Sequence, residues 1–281
     1  MDDNFRHCEA LVRAADKDRY LATLFAPAEA RGALFALYAF NVEIASVRER
    51  AREAMPGEIR LQWWRDVLNG ERAGEAAANP IAAALTETIA RHSLPLLRLL
   101  DLIEAHAFDL YDDPMPTFDA LLGYLDKTST AIFECAAMIC GGAAGDVLER
   151  AGVSYGITAL LRAFALHASR RQLFMPLIFL DDAKITPETI FAGQPTPGLT
   201  DALTLMRKIA LRRFETFEQE LPTLPARAMP AFLPVALVPG YLAAVERADY
   251  DPFRSPVEVP QWRRQWALWR AARRYARAMR S

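Results

Sequence analysis

Apolar residues along the chain recur at helical spacing and nowhere keep the strict alternation of a half-buried strand. Segments of helix length are divided by Pro, Gly and Asp clusters at Pro56-Gly57, Asn69 to Pro80, Asp112 to Thr117, Gly141 to Asp146, Asp181 to Thr200, Pro222 to Pro230 and Asp251 to Pro260. Ser93 ahead of Pro95, Thr117 after Pro116 and Thr186 before Pro187 read as helix starts. At such positions a side-chain oxygen caps free backbone N–H groups, and a first-turn proline has no N–H to leave unpaired. The stretch Leu37 to Glu53, LYAFNVEIASVRERARE, reads as one long helix. Leu34, Leu37, Tyr38, Phe40 and Val42 point all round its axis, which places it at the centre of a bundle. No internal repeat of roughly 20 to 50 residues is visible. The pattern predicts an all-α fold, with residues 1–281 as one domain.

Composition narrows the classes. The chain has 281 residues and is 52% hydrophobic, enough for one sizeable core. A net charge of −2 offers no global attraction for nucleic acid, and no such partner is expected. Cys8, Cys135 and Cys140 are an odd set without CxxC or Cys/His ligand spacing, which argues against a disulfide framework or a zinc site. The opening MDDNFRHCEALVRAADKDRY is acidic and lacks the basic-then-apolar layout of a signal peptide. No uninterrupted apolar run reaches about 18 residues, so no transmembrane helix is expected and the placement is cytoplasmic.

Charge changes the picture only at the C-terminus. In QWRRQWALWRAARRYARAMRS, Trp262, Trp266 and Trp269 recur at i, i+4 and i+7 on one helical face. Arg263, Arg264, Arg270, Arg273, Arg274, Arg277 and Arg280 crowd the remainder, with no acid after Glu258. The tryptophans are expected to dock on the bundle, while the arginines around them attract anionic lipid or an acidic partner. Trp262, Trp266, Trp269, Arg263 and Arg270 are therefore the candidate membrane or partner surface, peripheral at the inner membrane. Elsewhere, Asp109, Asp112 and Asp113 have a DxxDD spacing, but Pro114 marks a helix end, and a solvated turn is expected in place of a metal site. Trp63 and Trp64 are expected to fill the core, with Arg60 and Arg65 pairing with Asp66 or Glu58. Asn41, in an apolar turn, reads as a core hydrogen-bonding amide. His167 belongs to the side-chain type that titrates near neutrality.

LYAFNVEIASVRE, RLQWWRDVL from Arg60 to Leu68 and SRRQLFMP from Ser169 to Pro176 together resemble the squalene/phytoene synthase family over nearly the whole chain. The resemblance implies an isoprenoid-synthase-like helical bundle around a central cavity, with aspartate motifs on two facing helices. Such motifs hold Mg²⁺ against a prenyl diphosphate, because magnesium takes hard oxygen ligands in octahedral geometry. Against the first motif, YAFCRxxDDxxD, Tyr38 is followed by Asn41 and Val42 for Cys and Arg, Ala45 and Ser46 for the paired aspartates, and Glu49 for the last acid. In the second motif the acidic or amide positions fall at Ala159 and Ala163, and the trailing acids at Leu166 and His167.

The words AFNVEIASVRE and HASRRQLFMP are similar to a degenerate branch of that family, which includes the mitochondrial respiratory complex I assembly factor and its bacterial relatives. The implied role is a non-enzymatic assembly or binding factor with complex I subunits or assembly proteins as partners, no catalytic residues, and no metal or cofactor. The alternatives are a Mg-dependent head-to-head prenyltransferase, for which Mg would be required, and an isoprenoid- or lipid-binding protein. Cavity remnants expected to bind a ligand are Tyr38, Asn41, Glu43, Glu49, Arg162, Arg170 and Arg171. The arginines suit bidentate capture of phosphate or carboxylate.

Overall fold

Helices form where the apolar period is continuous and stop where proline, glycine or a polar cap removes the next hydrogen bond. The computed structural model describes residues 2–278 apart from 52, 143–144, 248 and 256, with side chains described up to residue 275. The predicted breaks at Gly141 to Asp146 and Asp251 to Pro260 thus include positions outside the described residues, as does Arg280 and the side chain of Arg277. Every regular element among the described residues is helical.

The helices that shape the interior are α1 (Asp3–Ala15), α2 (Lys17–Thr23), α3 (Ala28–Ala45), α4 (Ala54–Leu68), α5 (Leu96–Ala107), α6 (Ala131–Ile139), α7 (Val147–Arg162), α8 (Pro197–Glu220), α9 (Val238–Val245) and α10 (Gln261–Ala278). In α3, residues 33–40 are buried without interruption, as a helix apolar on all sides requires. Removing a side chain such as Leu37 or Phe40 from water contributes roughly 1.5–3 kcal/mol each. α1 and α6 pack on α3, and α7 lies along α8. Between α5 and α7 runs a π-helical turn, Asp126–Thr130. It approaches α7 so closely that a Cβ added at Gly152 would stand 1.9 Å from Thr130 Oγ1, and one at Gly156 would stand 3.2 Å from Ser129 Cβ.

Several boundaries differ from the sequence reading. The Leu37 to Glu53 helix is two elements: α3 ends at Ala45, Ser46 takes a non-helical ψ of 4°, and one short turn, Val47–Arg50, follows. Ser93 does not start a helix. It ends the one over Pro80–His92 in the left-handed region, at φ 51°. Pro56-Gly57 is not a break but the first turn of α4, where a missing N–H costs no hydrogen bond. Thr117 and Thr186 do cap the helices Phe118–Leu125 and Pro187–Phe191. Cys8, Cys135 and Cys140 are buried free thiols.

Ala226–Val245 is long and apolar enough to cross a bilayer by length and composition, contrary to expectation. Pro230, Pro234 and Pro239 divide it into short helical pieces, and most of it is buried inside the bundle.

Candidate functional site

A cavity of about 530 Å³ opens between α2, α3, α5, the π-helical turn and α7. α3 presents Asn41 and Ala45 to it, and the kink at Ser46 turns Arg48 and Glu49 toward the same space. From α7 come Tyr155, Gly156, Ala159, Arg162 and, just past the helix end, Ala163. The positions matching the acidic or amide residues of the family's motifs therefore border the cavity as methyl groups at 45, 159 and 163. Ser46 turns its hydroxyl back to the Glu43 carbonyl at 3.3 Å.

Carboxylates are present, but each is engaged by its own cationic or hydrogen-bonding partners. Glu49 accepts from Arg170 Nη1 at 3.1 Å. Asp109 receives His106 Nδ1 at 2.6 Å and the Tyr124 hydroxyl at 2.9 Å. Asp18 accepts from Arg162 at 3.2 Å, Arg264 at 2.8 Å and the Tyr241 hydroxyl at 2.5 Å. Asp16 caps α2 through the Arg19 N–H at 3.0 Å, and its other oxygen faces the Arg19 guanidinium at 3.4 Å. Magnesium takes hard oxygen ligands in octahedral geometry, commonly one or two carboxylates together with water and substrate phosphates. Among the described residues no group of three or more His, Cys, Asp or Glu side chains converges on one point.

The predicted remnants are only partly brought together. Asn41, Glu49, Arg162 and Arg170 line the cavity. Glu43 lies on another face of α3, held at 2.6 Å by Arg50 and 2.5 Å by Arg60. Burial pushes its carboxyl up, but the hydrogen bonds from Arg60 and Arg50 outweigh that and hold it below the usual range. Tyr38 is in the core, with the buried Arg19 guanidinium 5.2 Å from its ring centre. Arg171 leaves the cavity through a left-handed turn at φ 58° and stacks on Phe191 at 4.6 Å. His167 does not titrate near neutrality. Burial beside Phe174 pushes its imidazole down to about 4. Asp109 is buried and structural, unlike the exposed Asp112 and Asp113 of the same turn. Trp64 fills the core, and Trp63 donates to Glu75 at 2.7 Å. Arg65 pairs with Glu104 and Arg72 with Asp66, replacing the pairings expected for Arg60 and Arg65.

Sequence reasoning passed over Asp16, Asp18 and Arg19. Their one signal was the charged word DKDR immediately ahead of an apolar helix, where solvated charge would ordinarily sit. Arg264, which the sequence places among the outer arginines, turns inward, and only 15% of its side chain is exposed.

α10 reverses the expected orientation of its tryptophans. Leu268, Ala271 and Tyr275 face the bundle, whereas Trp262, Trp266 and Trp269 remain 64%, 53% and 38% exposed. Trp266 and Trp269 stack at 5.0 Å, Arg273 lies 4.1 Å over Trp269, and Arg263 lies 5.2 Å over Trp262. The exposed face borders a groove of about 660 Å³ floored by Phe214, Ala236 and Pro239, with Arg270 on its rim.

Comparison with known proteins matches the squalene/phytoene synthase family description to residues 12–270. The chain belongs to that family. Among relatives, it is 27% identical to NADH dehydrogenase (ubiquinone) complex I, assembly factor 6 from Bos taurus, over 90% of this chain and 77% of that protein. The human protein of the same name is also 27% identical, with the same coverage. A 15-cis-phytoene synthase from Synechococcus elongatus is 23% identical over 95% of this chain and 92% of its own length. In structure, a dehydrosqualene synthase superposes with a TM-score of 0.82 at 15% identity, covering 98% of this chain and 97% of that one. The squalene synthase HpnC from Alicyclobacillus acidocaldarius gives 0.76 at 23% identity, covering 89% and 95%. The family's isoprenoid-synthase fold is therefore the fold of this chain.

Proposed function

We propose that this family member is a non-enzymatic assembly or binding factor of the respiratory complex I type, acting at the cytoplasmic face of the inner membrane. The observation that carries the reading is the cavity wall: Ala45, Ala159 and Ala163 stand where the family's catalytic chemistry needs oxygen ligands, and Glu49 is engaged by Arg170. An alanine methyl has no lone pair to give a metal ion, so diphosphate departure has no electrophilic assistance from these positions. Relatives named for complex I assembly support the choice of partner. A wall so dense in charge, with Arg19, Asp109 and Arg162, does not favour a purely lipid-carrying role.

The exposed tryptophan and arginine face of α10 supports peripheral contact with an anionic membrane. Indole rings settle at the headgroup level, and guanidinium groups complement lipid phosphate.

Incubation with farnesyl or geranylgeranyl diphosphate and Mg²⁺ is expected to release no diphosphate. Robust release would overturn the non-enzymatic reading in favour of head-to-head prenyl transfer. Deletion in the host is expected to lower NADH:quinone oxidoreductase activity and leave subassemblies of the complex. Normal activity and assembly would remove the proposed role.

A further inference from the structure

Asp18 is 3% exposed and sits where four helices meet: its own α2, the end of α7 at Arg162, α9 at Tyr241 and α10 at Arg264. Its Oδ2 accepts from Arg162 at 3.2 Å and from Tyr241 at 2.5 Å, and its Oδ1 from Arg264 at 2.8 Å. The Arg162 guanidinium also lies 3.7 Å over the Tyr241 ring. Two guanidinium groups thus share one carboxylate, and the buried Nε of Arg264 has no partner among the described residues. The surplus extends to the whole cavity wall, which carries six Lys and Arg side chains against four Asp and Glu. Asp16, Glu49 and Asp109 have other partners, so the Arg162 and Arg264 pair has Asp18 alone as its counter-charge.

We infer that Asp18 is a built-in anion: its carboxylate fills a site formed by Arg162, Arg264 and Tyr241 that would otherwise take a phosphate-type anion, and it thereby clamps α10 to the cavity wall. A fork of N–H donors around a small anion is the arrangement by which arginine captures phosphate and carboxylate alike. An intramolecular carboxylate, already positioned by α2, competes against a free anion at high effective concentration. Arg162 keeps a third of its side chain exposed to the open cavity, so a free anion has a route to it once the carboxylate charge is gone. Arg264 and, nearer the end of the helix, Arg274 on Glu218 are charged contacts from α10 to the bundle, so whatever occupies the Asp18 site contributes to how firmly the first half of that helix is held. The role of Asp18 is independent of any task in complex I assembly.

The test uses the full chain and inorganic pyrophosphate, followed by isothermal titration, with hydrogen exchange over α10 as a second readout. The wild type is expected to bind pyrophosphate weakly. Asp18→Asn, nearly isosteric and able to accept from Tyr241, is expected to bind about tenfold more tightly or better. In that variant α10 amides should exchange faster, and pyrophosphate should slow them again. Adding Arg264→Gln to Asp18→Asn should abolish the gain. Tyr241→Phe keeps every charge and removes one donor both to Asp18 and to an incoming anion, so it should leave pyrophosphate binding weak while α10 amides exchange faster, and it covers the case in which Asp18→Asn does not fold. The inference is overturned if the wild type already binds as tightly as Asp18→Asn, if a folded Asp18→Asn gains nothing, if the gain survives loss of Arg264, or if α10 exchange in Tyr241→Phe is indistinguishable from the wild type.

Discussion

His167 ties acid stability to the cavity wall. Its folded imidazole titrates near 4, against an ordinary 6.5, because burial beside Phe174 disfavours the imidazolium. The unfolded chain therefore takes up a proton first as pH falls. The stabilisation is fully present above about pH 6.5 and drains away down to about pH 4, amounting to roughly 3 kcal/mol. His167→Gln should flatten the pH dependence of the urea midpoint within that window, and an unchanged slope would remove His167 as its source. Gly152 makes a second prediction at this scale. A Cβ there would overlap Thr130 Oγ1 at 1.9 Å and approach the Thr130 Cα at 2.7 Å. Gly152→Ala should cost about 2 kcal/mol and lower the melting temperature, whereas a neutral effect would mean that the π-helical turn yields easily. What was legible at single positions was placement: Ala45, Ala159 and Ala163 fall in the two motif stretches, and all line the cavity. Partnerships were not legible, because Asp18 meets residues 144, 223 and 246 positions away.

At the scale of elements, the C-terminal helix carries the sharpest difference between pattern and packing. Trp262, Trp266 and Trp269 form the most apolar stripe of α10, yet the smaller face of Leu268, Ala271 and Tyr275 is the one that docks. Replacing Trp266 and Trp269 by Ser should therefore cost less folding stability than replacing the docked Leu268 and Tyr275 by Ser, and the variant should stay folded at about 25 °C. The same variant should lose most of its co-sedimentation with vesicles containing phosphatidylglycerol, and Arg270→Glu should weaken it at low salt. Equal pelleting of wild type and variants, or equal binding to pure phosphatidylcholine, would rule out the α10 face as an anionic-membrane surface. The split of Leu37 to Glu53 has a comparable origin. Nothing in the local propensity of Ser46 demands a break, but the break turns Arg48 to Leu110 and Asp112, and Glu49 to Arg170. Long-range pairs decided that boundary.

For the whole molecule, the bundle organises one apolar stretch that would otherwise read as membrane-spanning. Ala226–Val245 has a mean hydropathy of 1.7, but its prolines break it into turns whose side chains complete the core around Phe232. Any membrane-bound fraction of the protein is accordingly expected to be released by an alkaline carbonate wash. Retention through that wash would show that the stretch inserts. The all-helical class, the central position of α3, the family and the missing aspartates were all determined by the sequence alone. They rest on local periodicity and on short words whose spacing is preserved within a helix turn. Tertiary structure alone decided which side of α10 meets the core, that Glu43 and Arg171 leave the cavity, and that Asp18 enters it. Those outcomes depend on which groups from distant parts of the chain arrive at the same point. A buried charge is tolerated only where such partners surround it, and one-dimensional pattern does not record where the chain returns.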